Sequence, residues 1–137
     1  MHFELIDYSA LYFKSIKKID VPRRRIGKFV QMFNEAEKKE YVILSPKEFS
    51  VYHANIVERF CIVQEIAGVY SSKDYFTVHE FDWSVIGGGF WVIDQDKKIL
   101  ELYGASKGYG PFADNGIKGK ILRSGLLPGY SIIVTGS

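Results

Sequence analysis

Apolar residues recur at helical spacing in two stretches of the chain. In the first stretch, a period of three to four residues joins Ile26, Phe29, Val30 and Phe33. This period predicts a helix that ends in the charged run 37–40. Asp20 is its candidate N-cap, and Pro22 fits the first turn.

The second stretch follows a helix-start signal, Ser45-Pro46-Lys47-Glu48, in which Ser and Glu stand at the spacing of a capping box. One helical face then collects the residues Phe49, Tyr52, His53, Ile56, Phe60, Val63 and Ile66 or Ala67. Gly68 is the expected stop. The pattern predicts a helix of about 20 residues.

Short runs rich in β-branched and aromatic residues, bounded by turn signals, predict strands. These runs are residues 41–44, 75–81, 85–93, 99–103 and 130–135. Polar residues 94–98 and the segment 127–129 mark turns. A further helix is predicted over residues 112–122, and residues 3–19 fit a strand, a short helix or both.

The order of these elements indicates the fold class. No repeat, low-complexity tract or linker divides the 137 residues, so we expect one domain over residues 1–137. Strands and helices in this order predict an α+β domain in which helices pack on one mixed or antiparallel sheet. Ten Phe, nine Tyr and two Trp supply large apolar area for the core of so small a domain.

Composition and charge narrow the classes of function. The chain has no run of the ~18 apolar residues that a membrane span needs and no visible signal peptide. Cys61 is the only cysteine, so no intrachain disulfide is expected and a cytoplasmic location is the simplest one. The net charge of +2 is too small to favour nucleic acid. We therefore expect no nucleic-acid or membrane partner. We also expect a monomer.

One dense basic run, Arg23-Arg24-Arg25, lies near Lys14, Lys17, Lys18 and Lys28. A solvent-exposed helix start is the simpler interpretation of this run, and a partner-binding patch is the alternative. Salt-dependent retention on a polyanion would favour the alternative.

His53 lies on the apolar face of the predicted long helix. It fits either a buried structural histidine or a proton-transfer group, since imidazole titrates near neutral pH. His2 and His79 are scattered along the sequence and form no metal-ligand spacing with it. No metal site and no cofactor are therefore expected.

Two glycine-rich segments are candidate contact points for a ligand. Residues 104–111 read Gly-Ala-Ser-Lys-Gly-Tyr-Gly-Pro, and glycines allow backbone N–H groups to converge on an oxyanion. Ser106 adds a hydroxyl and Lys107 a charge, although a plain turn would look similar. Gly87-Gly88-Gly89, inside a predicted strand, marks a close approach of either a ligand or another chain segment.

Several segments, taken in order, resemble the Janus family, which is best known for a phosphohistidine phosphatase. They are Glu40-Tyr41-Val42-Ile43-Leu44, Tyr52-His53-Ala54-Asn55-Ile56, Gly87-Gly88-Gly89, Asp96-Lys97-Lys98-Ile99, Tyr103-Gly104-Ala105-Ser106, Tyr109-Gly110-Pro111 and Leu127-Pro128-Gly129-Tyr130. The resemblance implies an α/β-sandwich-like domain with a helix on each side of the sheet. It also implies metal-independent removal of phosphate from phosphohistidine, with phospholysine as a further candidate substrate.

The resemblance also assigns residues. It implies that His53 is the catalytic residue, acting as general base or nucleophile. The candidate phosphate-binding residues are Ala105, Ser106, Lys107, Gly108, Tyr52 and Lys39.

The sequence departs from the family pattern at positions where the family has basic side chains. Glu40 stands where the family has a basic residue, with Lys39 beside it, and Phe90 stands where the family has an arginine. The connection before His53 is short, and the segment 61–86 is long. Lys107 is then the only local cation we expect, which favours as an alternative a phosphate- or protein-binding module that has lost turnover.

Overall fold

The computed structural model describes residues 2–17 and 20–135. Within them lie three helices, α1 (Ser9–Ser15), α2 (His53–Gln64) and α3 (Ile117–Ser124). The strands are β1 (His2–Asp7), β2 (Arg24–Asn34), β3 (Lys39–Pro46), β4 (Gly68–Ser72), β5 (Tyr75–Val78), β6 (Trp83–Asp94), β7 (Ile99–Tyr103), β8 (Ala105–Ser106), β9 (Gly110–Pro111) and β10 (Ser131–Val134).

A mixed sheet lies at the centre of the fold. Its strand order is β1-β3-β2-β6-β7-β10, and the short strands β8 and β9 pair beside β6. The outer pairs β1–β3 and β7–β10 are parallel, whereas the inner pairs are antiparallel. β4 and β5 form a separate antiparallel hairpin.

The two faces of the sheet carry separate apolar cores, because successive side chains of a strand point to opposite sides. Phe29 belongs to the core that includes Ile121 of α3, and its neighbour Val30 belongs to the core that includes Phe60 of α2. The predicted α+β fold, a mixed sheet with helices on both faces, is therefore confirmed. The face under α2 carries the candidate site.

The predicted helix after residue 26 is wrong, since residues 24–34 form the strand β2. β2 pairs with β3 on one side and with β6 on the other, and apolar cores cover both of its faces. In a strand that is covered on both faces, neighbouring residues such as Phe29 and Val30 can both be apolar. The apolar positions then need not alternate, and they can match a helical period by coincidence. Asp20 and Pro22 thus cap no helix but precede a strand.

The basic run Arg23-Arg24-Arg25 is accordingly no helix start. Arg24 and Arg25 begin β2, and the Arg25 guanidinium donates hydrogen bonds to Ser9, Pro22 and Gln95. Lys18, a flanking member of the run, lies outside the described residues, as does Ile19. Arg25 therefore acts inside the fold rather than as part of a free patch.

The predicted long helix starts later than expected, at His53. Residues 45–48 end β3 and enter a turn, where the Ser45 hydroxyl lies 2.7 Å from that of Ser50 rather than capping a helix. The observed N-terminus is held by Asn55, whose side-chain oxygen accepts a hydrogen bond from the Tyr52 backbone N–H at 2.8 Å. A capping interaction three residues apart does exist, but it lies seven residues further along the chain, at Tyr52 and Asn55.

The same helix also ends earlier than expected. Gln64 is its last residue and Glu65 adopts a left-handed φ of 58°. Gly68, the predicted stop, is instead the first residue of β4. Of the predicted apolar face, Ile56 and Phe60 are fully buried, and Ile66 is buried although it lies beyond the helix. Val63, by contrast, is 64% exposed and does not pack on the sheet.

The remaining predictions are confirmed with changed bounds. The strand predicted over residues 75–81 ends at Val78, and the helix predicted over residues 112–122 begins at Ile117. The opening of the chain contains both a strand, β1, and a short helix, α1. The predicted glycine-rich loop 104–111 contains the two short strands β8 and β9.

Candidate active site

The His53 side chain is held in one orientation at the first residue of α2. It is only 7% exposed, and its Nε2 lies 2.8 Å from the carbonyl oxygen of Gly89. A carbonyl oxygen can only accept, so the ring donates its Nε2 proton. In the neutral ring this leaves Nδ1 with a free lone pair. The Phe90 ring packs edge-on against the imidazole, with the centroids 5.5 Å apart.

The surroundings of His53 favour its neutral form. Burial lowers the pKa of its imidazole below the usual 6.5, and the positive charge of Lys28 lowers it further. The hydrogen bond to the Gly89 carbonyl acts in the opposite direction. A neutral imidazole with a free Nδ1 can accept a proton or attack an electrophile near pH 7.

Gly88 explains why a glycine triplet lies inside β6. A Cβ on Gly88 would lie 3.0 Å from the Cδ2 atom of His53 and 3.3 Å from the Cβ of Ser106. It would also lie 2.5 Å from the backbone oxygen of Phe29. The missing side chain therefore lets the α2 N-terminus and the loop 104–111 meet above the same point of the sheet.

The loop itself is a small folded unit. Ala105 and Ser106 pair with residues of β9, and β9 pairs with β6 at Gly88. The Ser106 hydroxyl, 3% exposed, accepts a hydrogen bond from the Tyr109 backbone N–H at 3.1 Å. Gly108 lies against the β4–β5 hairpin, since a Cβ there would lie 2.2 Å from the Asp74 carbonyl oxygen.

A cleft of about 240 Å³ opens between these elements. The structure brings six of the seven predicted site residues together in it: Tyr52, His53, Ala105, Ser106, Lys107 and Gly108. Lys39, the seventh, does not line this cleft. Its ammonium lies 2.8 Å from the Glu4 carboxylate and 4.8 Å from the centroid of the Tyr41 ring.

Four further residues line the cleft: Phe90, which the resemblance in the sequence already singled out, and Lys28, Lys73 and Asp74, which the sequence did not indicate as site residues. Lys28 lies directly opposite Phe90 on the neighbouring strand, with its ammonium 5.9 Å from the centroid of the Phe90 ring. Lys73 and Asp74 form the turn of the β4–β5 hairpin. The expectation of Lys107 as the only local cation is therefore wrong. The four charged residues of the cleft carry a formal net charge of +2.

Glu40, where the resemblance in the sequence suggested a departure from the family pattern, lies on the opposite face of the sheet from His53, on the side of α3. It is 1% exposed and its carboxylate accepts hydrogen bonds from Gln31, Asn115 and Lys120 at 2.8, 3.2 and 2.6 Å. Lys120 belongs to α3. This carboxylate thus fixes α3 to the sheet and takes no part in the cleft.

Other kinds of site find little support in the part of the chain that the structure describes. No group of three His, Cys, Asp or Glu side chains there is placed to hold a metal ion. Burial raises the pKa of the Cys61 thiol to about 11, which keeps it from acting as a thiolate nucleophile. Among residues 2–17 and 20–135, no helix is long and apolar enough to cross a membrane.

Fold and cleft together define the class of protein: an α+β domain in which a buried histidine with a lowered pKa lies at the edge of a cationic cleft. Residues 13–130 match the Janus/Ocnus family (Ocnus), and the chain belongs to this family. The match extends upstream of residue 40, where the resemblance in the sequence began, and includes the whole of β2 with Lys28. No curated protein matches the chain.

Proposed function

We propose that this protein is a phosphohistidine-phosphatase-like hydrolase that removes the phosphoryl group from phosphohistidine, and also from phospholysine, without a metal ion. The observation that supports the proposal most is the state of His53. Its ring is buried, held through Nε2 by Gly89, and kept neutral beside a cleft that contains three lysines.

The cleft matches the charge of a phosphoryl group. Lys28, Lys73 and Lys107 face it together with the single carboxylate of Asp74. Their net charge of +2 balances a phosphoryl dianion, and the backbone N–H groups of residues 105–108 are the candidate donors to its oxygens. Charge developed in the transition state would be stabilised by groups already in place.

Two routes use the free Nδ1 of His53. As a general base, Nδ1 takes a proton from water while the water oxygen bonds to phosphorus. As a nucleophile, Nδ1 itself bonds to phosphorus, and water later cleaves this bond to regenerate the ring. In both routes the P–N bond of the substrate breaks, its electron pair stays on the leaving nitrogen, and that nitrogen takes up a proton. Acid-labile label retained on the protein from a ³²P-labelled substrate would identify the second route.

The direct test is release of phosphate from phosphohistidine and phospholysine peptides in the presence of a chelator. His53→Ala is expected to lower the rate at least about a hundredfold. His79→Ala is the matched control, because His79 is exposed and does not line the cleft. Absence of phosphate release by the wild-type protein, or full activity of His53→Ala, would rule the proposal out.

A binding module without turnover is the second candidate function. Phe90 favours it, because an apolar ring packs against His53 within the cleft. An NMR titration with inorganic phosphate separates the two candidates. Shifts of the 105–108 amides without any hydrolysis of phosphoramidates would support binding alone.

The proposal also includes the cellular location and the oligomeric state of the protein. A cytoplasmic, monomeric hydrolase that acts on a phosphorylated protein or a small phosphoramidate, with no cofactor, fits a single buried cysteine in a reducing compartment. Light scattering of the purified chain tests the monomer, and fractionation of cells that express it tests the location.

A further inference from the structure

The β4–β5 hairpin is the one pair of strands in the described residues that lies outside the central sheet. Its turn, Lys73-Asp74, forms one wall of the cleft. The Ser72 hydroxyl donates to the Asp74 carboxylate at 2.8 Å, so the turn has a hydrogen bond of its own. The hairpin therefore presents a defined charged turn to the site.

The hairpin is fastened to the loop 104–111 by Tyr109. The Tyr109 hydroxyl accepts a hydrogen bond from the Phe76 backbone N–H at 2.7 Å and donates one to the Phe76 carbonyl at 2.8 Å. Its ring stacks on that of Tyr75, with the centroids 4.5 Å apart. Burial raises the pKa of Tyr109, which keeps its hydroxyl protonated and able to donate. Loop and hairpin are thus joined by both polar and aromatic contacts.

The hairpin is also fastened to the first turn of α2. The Tyr70 hydroxyl accepts a hydrogen bond from the Asn55 amide at 3.0 Å and donates one to Glu58 at 2.8 Å. The side-chain oxygen of Asn55 also accepts the hydrogen bond from the backbone N–H of Tyr52. Tyr52 is the residue directly before His53. The hairpin therefore contacts both halves of the site, the helix that carries the histidine and the loop beside it.

We propose that the β4–β5 hairpin is a substrate-binding element of this site, in which Lys73 contacts the phosphoryl group and Tyr109 holds the hairpin turn in place against the loop. This inference rests on the proposed function for the identity of the ligand. Lys73 is the binding residue, and Tyr109 is a positioning residue that acts through it. Gly108 allows the arrangement, because a side chain there would collide with the Asp74 carbonyl.

The first experiment measures the affinity for inorganic phosphate by NMR titration of the intact chain. Lys73→Ala is expected to bind phosphate about tenfold more weakly, and Lys73→Arg to keep most of the affinity. Lys118→Ala is the matched control, because Lys118 is an exposed lysine on α3, across the sheet from the cleft. Wild-type affinity in Lys73→Ala would overturn the inference.

The second experiment tests whether Tyr109 acts through Lys73. Tyr109→Phe keeps the ring but removes both hydrogen bonds to Phe76, and it is expected to weaken phosphate binding. The double variant Tyr109→Phe/Lys73→Ala should then bind no more weakly than Lys73→Ala, because the two residues form one unit. Additive losses would contradict this coupling. Tyr75→Phe, which keeps its stacked ring, is the control and should bind as the wild type does.

The outcomes separate this inference from the proposed function. If Lys73→Ala weakens phosphate binding while the wild-type protein hydrolyses no phosphoramidate, the hairpin binds the ligand but the proposed function fails. If the wild-type protein hydrolyses phosphohistidine while Lys73→Ala leaves both KM and phosphate affinity unchanged, the inference on the hairpin fails alone.

Discussion

The Nε2–H group of His53 donates a hydrogen bond to the carbonyl oxygen of Gly89 at a distance of 2.8 Å. This contact fixes the tautomer of the ring and turns a residue at a helix N-terminus into a group with one defined free nitrogen. It depends on β6, since Gly89 lies in the glycine triplet that leaves room for the imidazole. The same residues thus position the ring and select its reactive atom.

The activity of the protein is expected to fall at acidic pH with a midpoint below 6.5. Burial and Lys28 lower the pKa of His53, and the imidazolium that forms below this pKa can neither accept a proton nor attack phosphorus. A profile of kcat/KM against pH measures the midpoint, and NMR titration of the His53 ring should give the same value. His79→Ala should leave the midpoint unchanged. A midpoint at or above 6.5 would contradict the assignment of His53.

The stability of the fold should also depend on the protonation of His53. The unfolded chain binds a proton on His53 at its ordinary pKa of 6.5, while the folded chain binds it only at a lower pH. The free energy of unfolding is therefore expected to decrease as the pH falls from about 6.5 towards the folded pKa. Urea unfolding across this range measures the slope, and His53→Ala should make the slope smaller. An equal slope in both proteins would show that other groups cause it.

Removal of the positive charge of Lys28 should raise the pKa of His53. The ammonium opposes protonation of the imidazole, so its loss in Lys28→Ala makes the imidazolium easier to form. NMR titration of the His53 ring measures the shift, and the acidic limb of the activity profile should move with it towards 6.5. Lys28→Arg keeps the charge and should keep the pKa, as should the distant control Lys118→Ala. A pKa that falls in Lys28→Ala would contradict the electrostatic account.

Much of the site could be predicted from short segments, because each segment carries its own geometry. His53 and the loop 104–111 meet in one cleft as the ordered motifs suggested. Lys28 could not be found in this way, since β2 is buried on both faces and resembles a helix in its apolar period. Only the pairing of β2 with β6 places Lys28 beside Phe90.

The position of Lys73 in the cleft could not be predicted from the sequence for a different reason. Its place in the cleft depends on contacts between residues far apart in sequence, above all the hydrogen bonds between Tyr109 and Phe76. The spacing of apolar residues along a short segment gives no information on such a long-range contact. The place of Glu40 could not be predicted either, because a departure from a family pattern does not tell which face of the sheet a side chain occupies. Its ion-pair partner Lys120 lies on α3.

Gly88→Ala is expected to separate His53 from Ser106. The new methyl group would lie 3.0 Å from the imidazole and 2.5 Å from a backbone oxygen that cannot move freely. We expect a loss of about 1–3 kcal/mol in the free energy of unfolding, as for an overpacked site, together with a fall in kcat. Gly119→Ala is the control, because its methyl group meets only the flexible end of Arg123 within a helix. That variant should gain about 0.5–1 kcal/mol in stability and keep its activity, and a loss of activity there would weaken the comparison.

Glu40→Ala should destabilise the fold without changing the affinity of the cleft for phosphate. The substitution leaves Lys120, Gln31 and Asn115 without the carboxylate that joins them, and loss of one partner of a buried ion pair costs about 3–5 kcal/mol. Urea unfolding measures this loss. As the control, Arg23→Ala breaks the exposed pair with Asp96 and should change the free energy of unfolding by less than about 1 kcal/mol.

The affinity of the cleft for phosphate should not change in Glu40→Ala, because Glu40 lies across the sheet from His53. NMR titration with inorganic phosphate should therefore give the wild-type affinity for the folded fraction of Glu40→Ala. A weaker affinity in folded Glu40→Ala would contradict this prediction, because it would show that the buried carboxylate acts on the cleft through the sheet.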